Sequence, residues 1–96
     1  MTRSEILDIL KRYKKENAEK YGIKSLGIFG SFSRDEAKDK SDVDIVIETA
    51  VPDLFKLVHI KIELEELLHK TVDIVRNREK MNPYLKTRIK KDAVYV

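Results

Sequence analysis

Three acids stand where acids are seldom found. Asp42 and Asp44 flank Val43 at the head of the β-branched run Val43-Asp44-Ile45-Val46-Ile47, and Asp73 lies inside Thr71-Val72-Asp73-Ile74-Val75. Residues two apart on a strand share a face, with Cα atoms roughly 6.5–7 Å apart, so the carboxylates of Asp42 and Asp44 can converge on one cation. Val43, Ile45 and Ile47 would then point the other way, into a core. Two anions on one buried face repel unless a positive charge compensates them. A hard divalent ion such as Mg²⁺, which takes oxygen ligands, supplies that charge. If the two acid-bearing strands are neighbours, Asp73 brings a third carboxylate to the same face. Such a set suits phosphoryl or nucleotidyl transfer, with metal clamping an in-line displacement and Asp73 placed to deprotonate an attacking hydroxyl. The alternative is structural: a strand beginning at Val43 leaves Asp42 exposed, Asp44 on a solvated face and Asp73 on an edge.

Upstream, Gly30-Ser31 follows the apolar run Ser25–Phe29. Glycine lets a backbone approach a ligand closely, and N–H groups at a helix start bind phosphate. A plain turn reads the same way. Other chemistries lack their residues. There is no G-x-x-x-x-G-K-[ST] loop, no EF-hand spacing after Asp42-x-Asp44 and no cysteine. His59 and His69 match no zinc spacing.

The elements that must position these residues follow from periodicity and punctuation. Thr2 and Glu5 have the spacing of a capping box. They start a helix that carries Ile6, Leu10 and Tyr13 on one face and stops near Lys20, before Gly22. Ser25–Phe29, Val43–Ile47 and Thr71–Val75 read as short strands, the second buried on both faces. Ser33–Lys38 is assigned a short helix and residues 39–41 a turn. Pro52 is placed at the first position of a helix carrying Leu57, Ile60, Leu64 and Leu67. Pro83 opens a last helix through Tyr84, Leu85 and Ile89, and residues 93–96 are a final strand or a frayed end. The expected fold is α/β (α+β): a small mixed sheet with flanking helices in a single domain over 1–96.

Gly30-Ser31-Phe32-Ser33-Arg34, then Ser41-Asp42-Val43-Asp44-Ile45-Val46, then Val72-Asp73-Ile74-Val75 resemble the signature of the DNA polymerase β-like nucleotidyltransferase superfamily. Within it the chain looks most like the minimal nucleotidyltransferases, antitoxins encoded beside HEPN-domain RNase toxins. The resemblance implies a nucleotidyltransferase fold, ATP as substrate, two Mg²⁺ ions and transfer of AMP to a hydroxyl, a tyrosine of the toxin, with release of pyrophosphate. By it, Gly30 and Ser31 would hold the triphosphate, Asp42 and Asp44 would bind metal, and Asp73 would bind metal and activate the acceptor. Arg34 would touch phosphate or brace the turn through a salt bridge. Ser41 would orient the loop. One position departs from the pattern: the family usually has Gly after the motif arginine, and here Asp35 follows. It puts a negative charge near a triphosphate or pairs with a lysine such as Lys38.

The chain has 96 residues and a formal net charge of +3. Arg76 to Lys91 holds seven basic residues against one acid, Glu79. That segment is a candidate docking surface or a solvated helix face. Little chain remains beyond the motif region for an acceptor pocket, so a second macromolecule is expected to supply it: a HEPN partner in a hetero-oligomer. Two other functions stay open, an antitoxin that masks its partner without chemistry and a nucleotidyltransferase acting on RNA or a small molecule. The N-terminus lacks a signal-peptide pattern and no apolar run spans a membrane, so a cytoplasmic location is expected.

Overall fold

The computed structural model describes residues 1–96. The elements run α1 (Arg3–Tyr21), β1 (Ile23–Phe29), β2 (Val43–Thr49), α2 (Leu54–Leu68), β3 (Val72–Arg76), α3 (Pro83–Asp92) and β4 (Val94–Tyr95). One four-stranded sheet has the order β3-β2-β1-β4. β1 is antiparallel to β2 and β4, and β2 is parallel to β3. α2 is the crossover that a parallel pair requires.

Local chemistry explains most boundaries. Thr2 and Glu5 close a reciprocal capping box at the start of α1, and Gly22 ends the helix in the left-handed conformation at φ 66°. At α2 the sequence placed Pro52 inside the first turn. Instead Asp53 is the N-cap, accepting from Lys56 N–H, and Pro52 precedes it. A carboxylate that satisfies an orphan N–H outcompetes a proline as the starting signal. Pro83 does open α3, behind an Asn82 cap whose side chain accepts from Tyr84 and Leu85 N–H. The closing strand exists as Val94–Tyr95, hydrogen-bonded beside β1.

Strand alternation divides the residues between two faces. Val43, Ile45 and Ile47 of β2, with Leu26, Ile28 and Val72, join Ile6 and Leu10 of α1 and Ile60, Leu64 and Leu68 of α2 in the main core. The two helices are also tied by Glu63, whose Oε1 accepts from Tyr13 at 3.1 Å and from Tyr21 at 2.5 Å. On the other face α3 packs Ile89 on Phe29 and Val46, with Leu85 and Val75 at the margin. This second layer buries β2 on both faces at Val46. Leu67, expected in the core, is exposed, and Leu68 takes its place. The outer side of α2 also leaves Leu54, Phe55, Val58 and Ile62 in solvent, Phe55 at 81%.

Candidate active site

β2 and β3 run parallel in a register that sets Asp44 directly beside Asp73. Adjacent strands lie about 4.8 Å apart, so the two carboxylates rise from neighbouring backbones on one face. That face is the one α3 covers, since Asp44 alternates with Val43 and Ile45 and shares its side with Val46. Asp44 is half-buried and Asp73 is exposed. Val43 N–H donates to Thr71 O at 2.9 Å and locks the heads of the two strands together.

Asp42 lies one residue ahead of β2 and is exposed, so it does not share a strand with Asp44. The cause is the preceding turn. Ser41 N–H donates to Lys38 O, and Ser41 Oγ accepts from Lys38 N–H at 2.8 Å, which holds the chain in a loop until Val43 begins the ladder. Ser41 thus orients the loop. Asp42 remains close enough for its charge to act on Asp44.

No three acidic or histidine side chains are gathered closely enough to form a ready-made ion site. The donor chemistry nonetheless fits a hard divalent cation, because every candidate ligand is a carboxylate oxygen. Burial, then the neighbouring charges of Asp73 and Asp42, push the Asp44 carboxyl above the usual carboxylate range, while Arg88 and Arg34 pull it down. A positive ion among these groups would offset both the burial of the Asp44 charge and the repulsion from its acidic neighbours.

The Gly30 turn abuts the same carboxylate. Phe29 is the register partner of Asp44, and Gly30 follows with φ 73°. Asp44 Oδ2 occupies the space that a Cβ on residue 30 would need. Glycine is therefore required here both by the left-handed backbone and by the approach of a site acid. The sequence explains the turn by the approach of a ligand, and the structure shows the approach of Asp44.

Residues 30–35 form consecutive turns, with Ser33 Oγ and Arg34 N–H both donating to Gly30 O. The short helix expected over Ser33–Lys38 is absent. Asp35 adopts φ 59°, which a right-handed helix cannot contain. Phe32 anchors the turn in the main core. The N–H groups of Ser31, Phe32 and Ser33 donate to no protein acceptor.

Arg34 and Asp35 both have ion-pair partners within the chain. Arg34 Nε bonds Glu36 at 3.1 Å and its Nη1 bonds Asp92 of α3 at 2.5 Å. These contacts tie the turn to α3. Asp35 Oδ2 lies 3.6 Å from Arg3 of α1, not beside Lys38, and its side chain is 68% exposed. The left-handed backbone accounts for the glycine usual at this position, and Asp is among the residues that tolerate it.

One feature of the site was not visible in the sequence. A cavity of about 500 Å³ lies between the turn and α3, lined by Arg34, Tyr84, Thr87, Arg88, Lys91 and Asp92. The basic segment Arg76–Lys91 does not act as one patch: Arg88 and Lys91 face this cavity, while Lys86 and Lys90 line a separate hollow with Asn77 and Tyr95. Only the alternation of basic residues along α3 hinted at the division.

Known proteins are similar to this chain in sequence and fold. A relative in Methanocaldococcus jannaschii, named as a candidate protein adenylyltransferase, is 43% identical over 96 residues, covering 99% of this chain and 98% of its own. The protein adenylyltransferase MntA of Thermococcus cleftensis is 39% identical over 97 residues, covering 100% and 97%. A chain of the solved complex of tri-AMPylated Shewanella oneidensis HEPN toxin with MNT antitoxin superposes with TM-score 0.72 at 18% identity, over 98% of this chain and 71% of that one. No helix is long and apolar enough to cross a membrane. The model of the nucleotidyltransferase domain matches residues 10–96, which include the Gly30 turn and all three acids, and the chain belongs to that family.

Proposed function

We propose that this nucleotidyltransferase is a protein adenylyltransferase antitoxin, moving AMP from ATP to a tyrosine hydroxyl of a cognate HEPN toxin. The observation that carries the reading is the registered pair Asp44–Asp73, set beside the Gly30 turn on one face of the sheet. Near-full-length similarity to protein adenylyltransferases supports the donor and the reaction. The AMPylated HEPN toxin solved with its MNT antitoxin supports the acceptor. The apolar outer side of α2 favours a macromolecular partner over a small molecule.

In the reaction the acceptor oxygen forms a bond to the α-phosphorus of ATP. The bond from that phosphorus to the bridging oxygen breaks, and pyrophosphate leaves with the electron pair. Asp73, exposed at the head of β3, takes the hydroxyl proton. Asp44 and Asp73, with Asp42 from the adjoining loop, would hold Mg²⁺, which supplies charge stabilisation for the transferring phosphoryl group. The unpartnered N–H groups of Ser31, Phe32 and Ser33 are donors available to phosphate oxygens beside Gly30. Arg34 fixes the turn from outside.

The test is toxin neutralisation by chemistry. Co-expression with a cognate HEPN toxin should restore growth, and Asp42→Ala with Asp44→Ala should abolish the rescue while the two proteins still copurify. Full rescue by the double variant would contradict catalysis and leave masking as the function.

A further inference from the structure

The family motif contains one arginine, and in this chain that arginine is already engaged. Arg34 is clamped by Glu36 and by Asp92, whose side chain is only 8% exposed. Arg34 Nε and Nη1 are engaged, and the two carboxylates offset its charge toward an incoming anion. By contrast Arg88 and Lys91, one turn apart on α3, form no ion pair. Both line the cavity of about 500 Å³ on the acidic side of the sheet, within the size range of small-ligand sites. The Arg88 guanidinium sits 5.9 Å above the ring of Phe29, the strand partner of Asp44. Arg88 thus borders the cavity over the residue that pairs with Asp44.

We infer that Arg88 and Lys91 form the cationic site for the β- and γ-phosphates of the nucleotide, and that Arg34 is a positioning residue that holds α3 in place through Asp92. The inference rests on the adenylyltransferase reading and assigns its polyphosphate end. The charges are complementary. Asp44 and Asp73 would face the metal side of the nucleotide, and two free cations would face its anionic tail. Arg88 has the fork geometry that grips phosphate oxygens in pairs, and Lys91 adds a mobile point charge. Both cations would also stabilise pyrophosphate as it departs, so their loss falls on turnover as well as on binding.

The probes are α,β-methylene-ATP and AMP, each titrated calorimetrically with Mg²⁺ into the full chain and its variants. Arg88→Ala and Lys91→Ala should each weaken α,β-methylene-ATP roughly 10- to 100-fold, the loss of one or two charged hydrogen bonds. AMP, which lacks the β- and γ-phosphates, should bind the variants as it binds the wild type. Arg88→Lys should recover part of the affinity. Asp92→Asn should lower the melting temperature together with ATP-analogue affinity, as expected for a positioning contact. Unchanged α,β-methylene-ATP affinity in Arg88→Ala and Lys91→Ala would overturn the assignment, as would an equal loss for AMP. Failure of the wild type to bind the ATP analogue would overturn the adenylyltransferase reading itself, and this assignment with it.

Discussion

Asp44 and Asp73 stand side by side at the heads of two parallel strands, and Asp44 presses its carboxylate into the space that Gly30 leaves free. The pair costs the metal-free protein stability, because like charges on neighbouring strands repel by about 0.2–1 kcal/mol. Asp44→Asn should therefore raise the melting temperature in the presence of EDTA, by the equivalent of about 0.2–1 kcal/mol. Mg²⁺ should stabilise the wild type, by about 2.7 kcal/mol at a hundredfold excess over its dissociation constant, and leave the variant unmoved. A drop in melting temperature for Asp44→Asn in EDTA would contradict the repulsion.

Gly30→Ala is predicted to be among the most damaging single-methyl additions in the chain. The left-handed backbone alone costs roughly 1–2 kcal/mol for an L-residue. The added Cβ must also displace Asp44 Oδ2. Transfer activity should fall further than stability does, since the carboxylate that moves is a site acid. Chemical denaturation alongside a transfer assay separates the two effects. A variant with wild-type activity would show that the position of Asp44 against the turn is immaterial.

Asp35→Gly should leave transfer unchanged. The Asp35 side chain points to Arg3 and solvent, and its backbone already has the conformation glycine prefers. Relief of left-handed strain and the greater chain entropy of glycine oppose each other, so stability should stay within about 1 kcal/mol of wild type. A rise in ATP affinity would show instead that the Asp35 charge reaches the nucleotide.

The acids and the turn were legible because their chemistry conflicts with their surroundings: carboxylates within β-branched runs demand an explanation from composition alone. The α1 cap, the Gly22 stop and the Pro83 start were legible because each is a local hydrogen-bonding or steric event. What failed was non-local or rested on one backbone angle. Ser33–Lys38 has helix-compatible residues, and the left-handed Asp35 breaks it. Pro52 and Asp53 are adjacent competitors for one helix start, and the cap won. Alternation within a strand does not say which strand lies next to it, so neither the β3-β2-β1-β4 order nor the position of α3 over the acids could be read. The divided basic segment and the Arg34–Asp92 ion pair both follow from that placement.

Alkaline stability should report the tie between α1 and α2. Burial first, then the Glu63 charge and hydrogen bond, raise the Tyr13 phenol above its ordinary value, and the Glu63 hydrogen bond chiefly raises that of Tyr21. The unfolded chain sheds these protons near pH 10 while the folded one keeps them. The contribution is thus fully present below pH 10 and is lost as pH rises above it. Tyr13→Phe with Tyr21→Phe should flatten the fall in melting temperature above pH 10. An equally steep fall in the double variant would place the alkaline sensitivity elsewhere.

The most direct test of the central claim is the intact mass of a cognate HEPN protein after incubation with this chain, ATP and Mg²⁺. The predicted result is a mass increase by whole AMP units, located on tyrosine, that is absent with Asp44→Asn. A partner that stays unmodified in a complex with the wild-type protein would contradict the assignment.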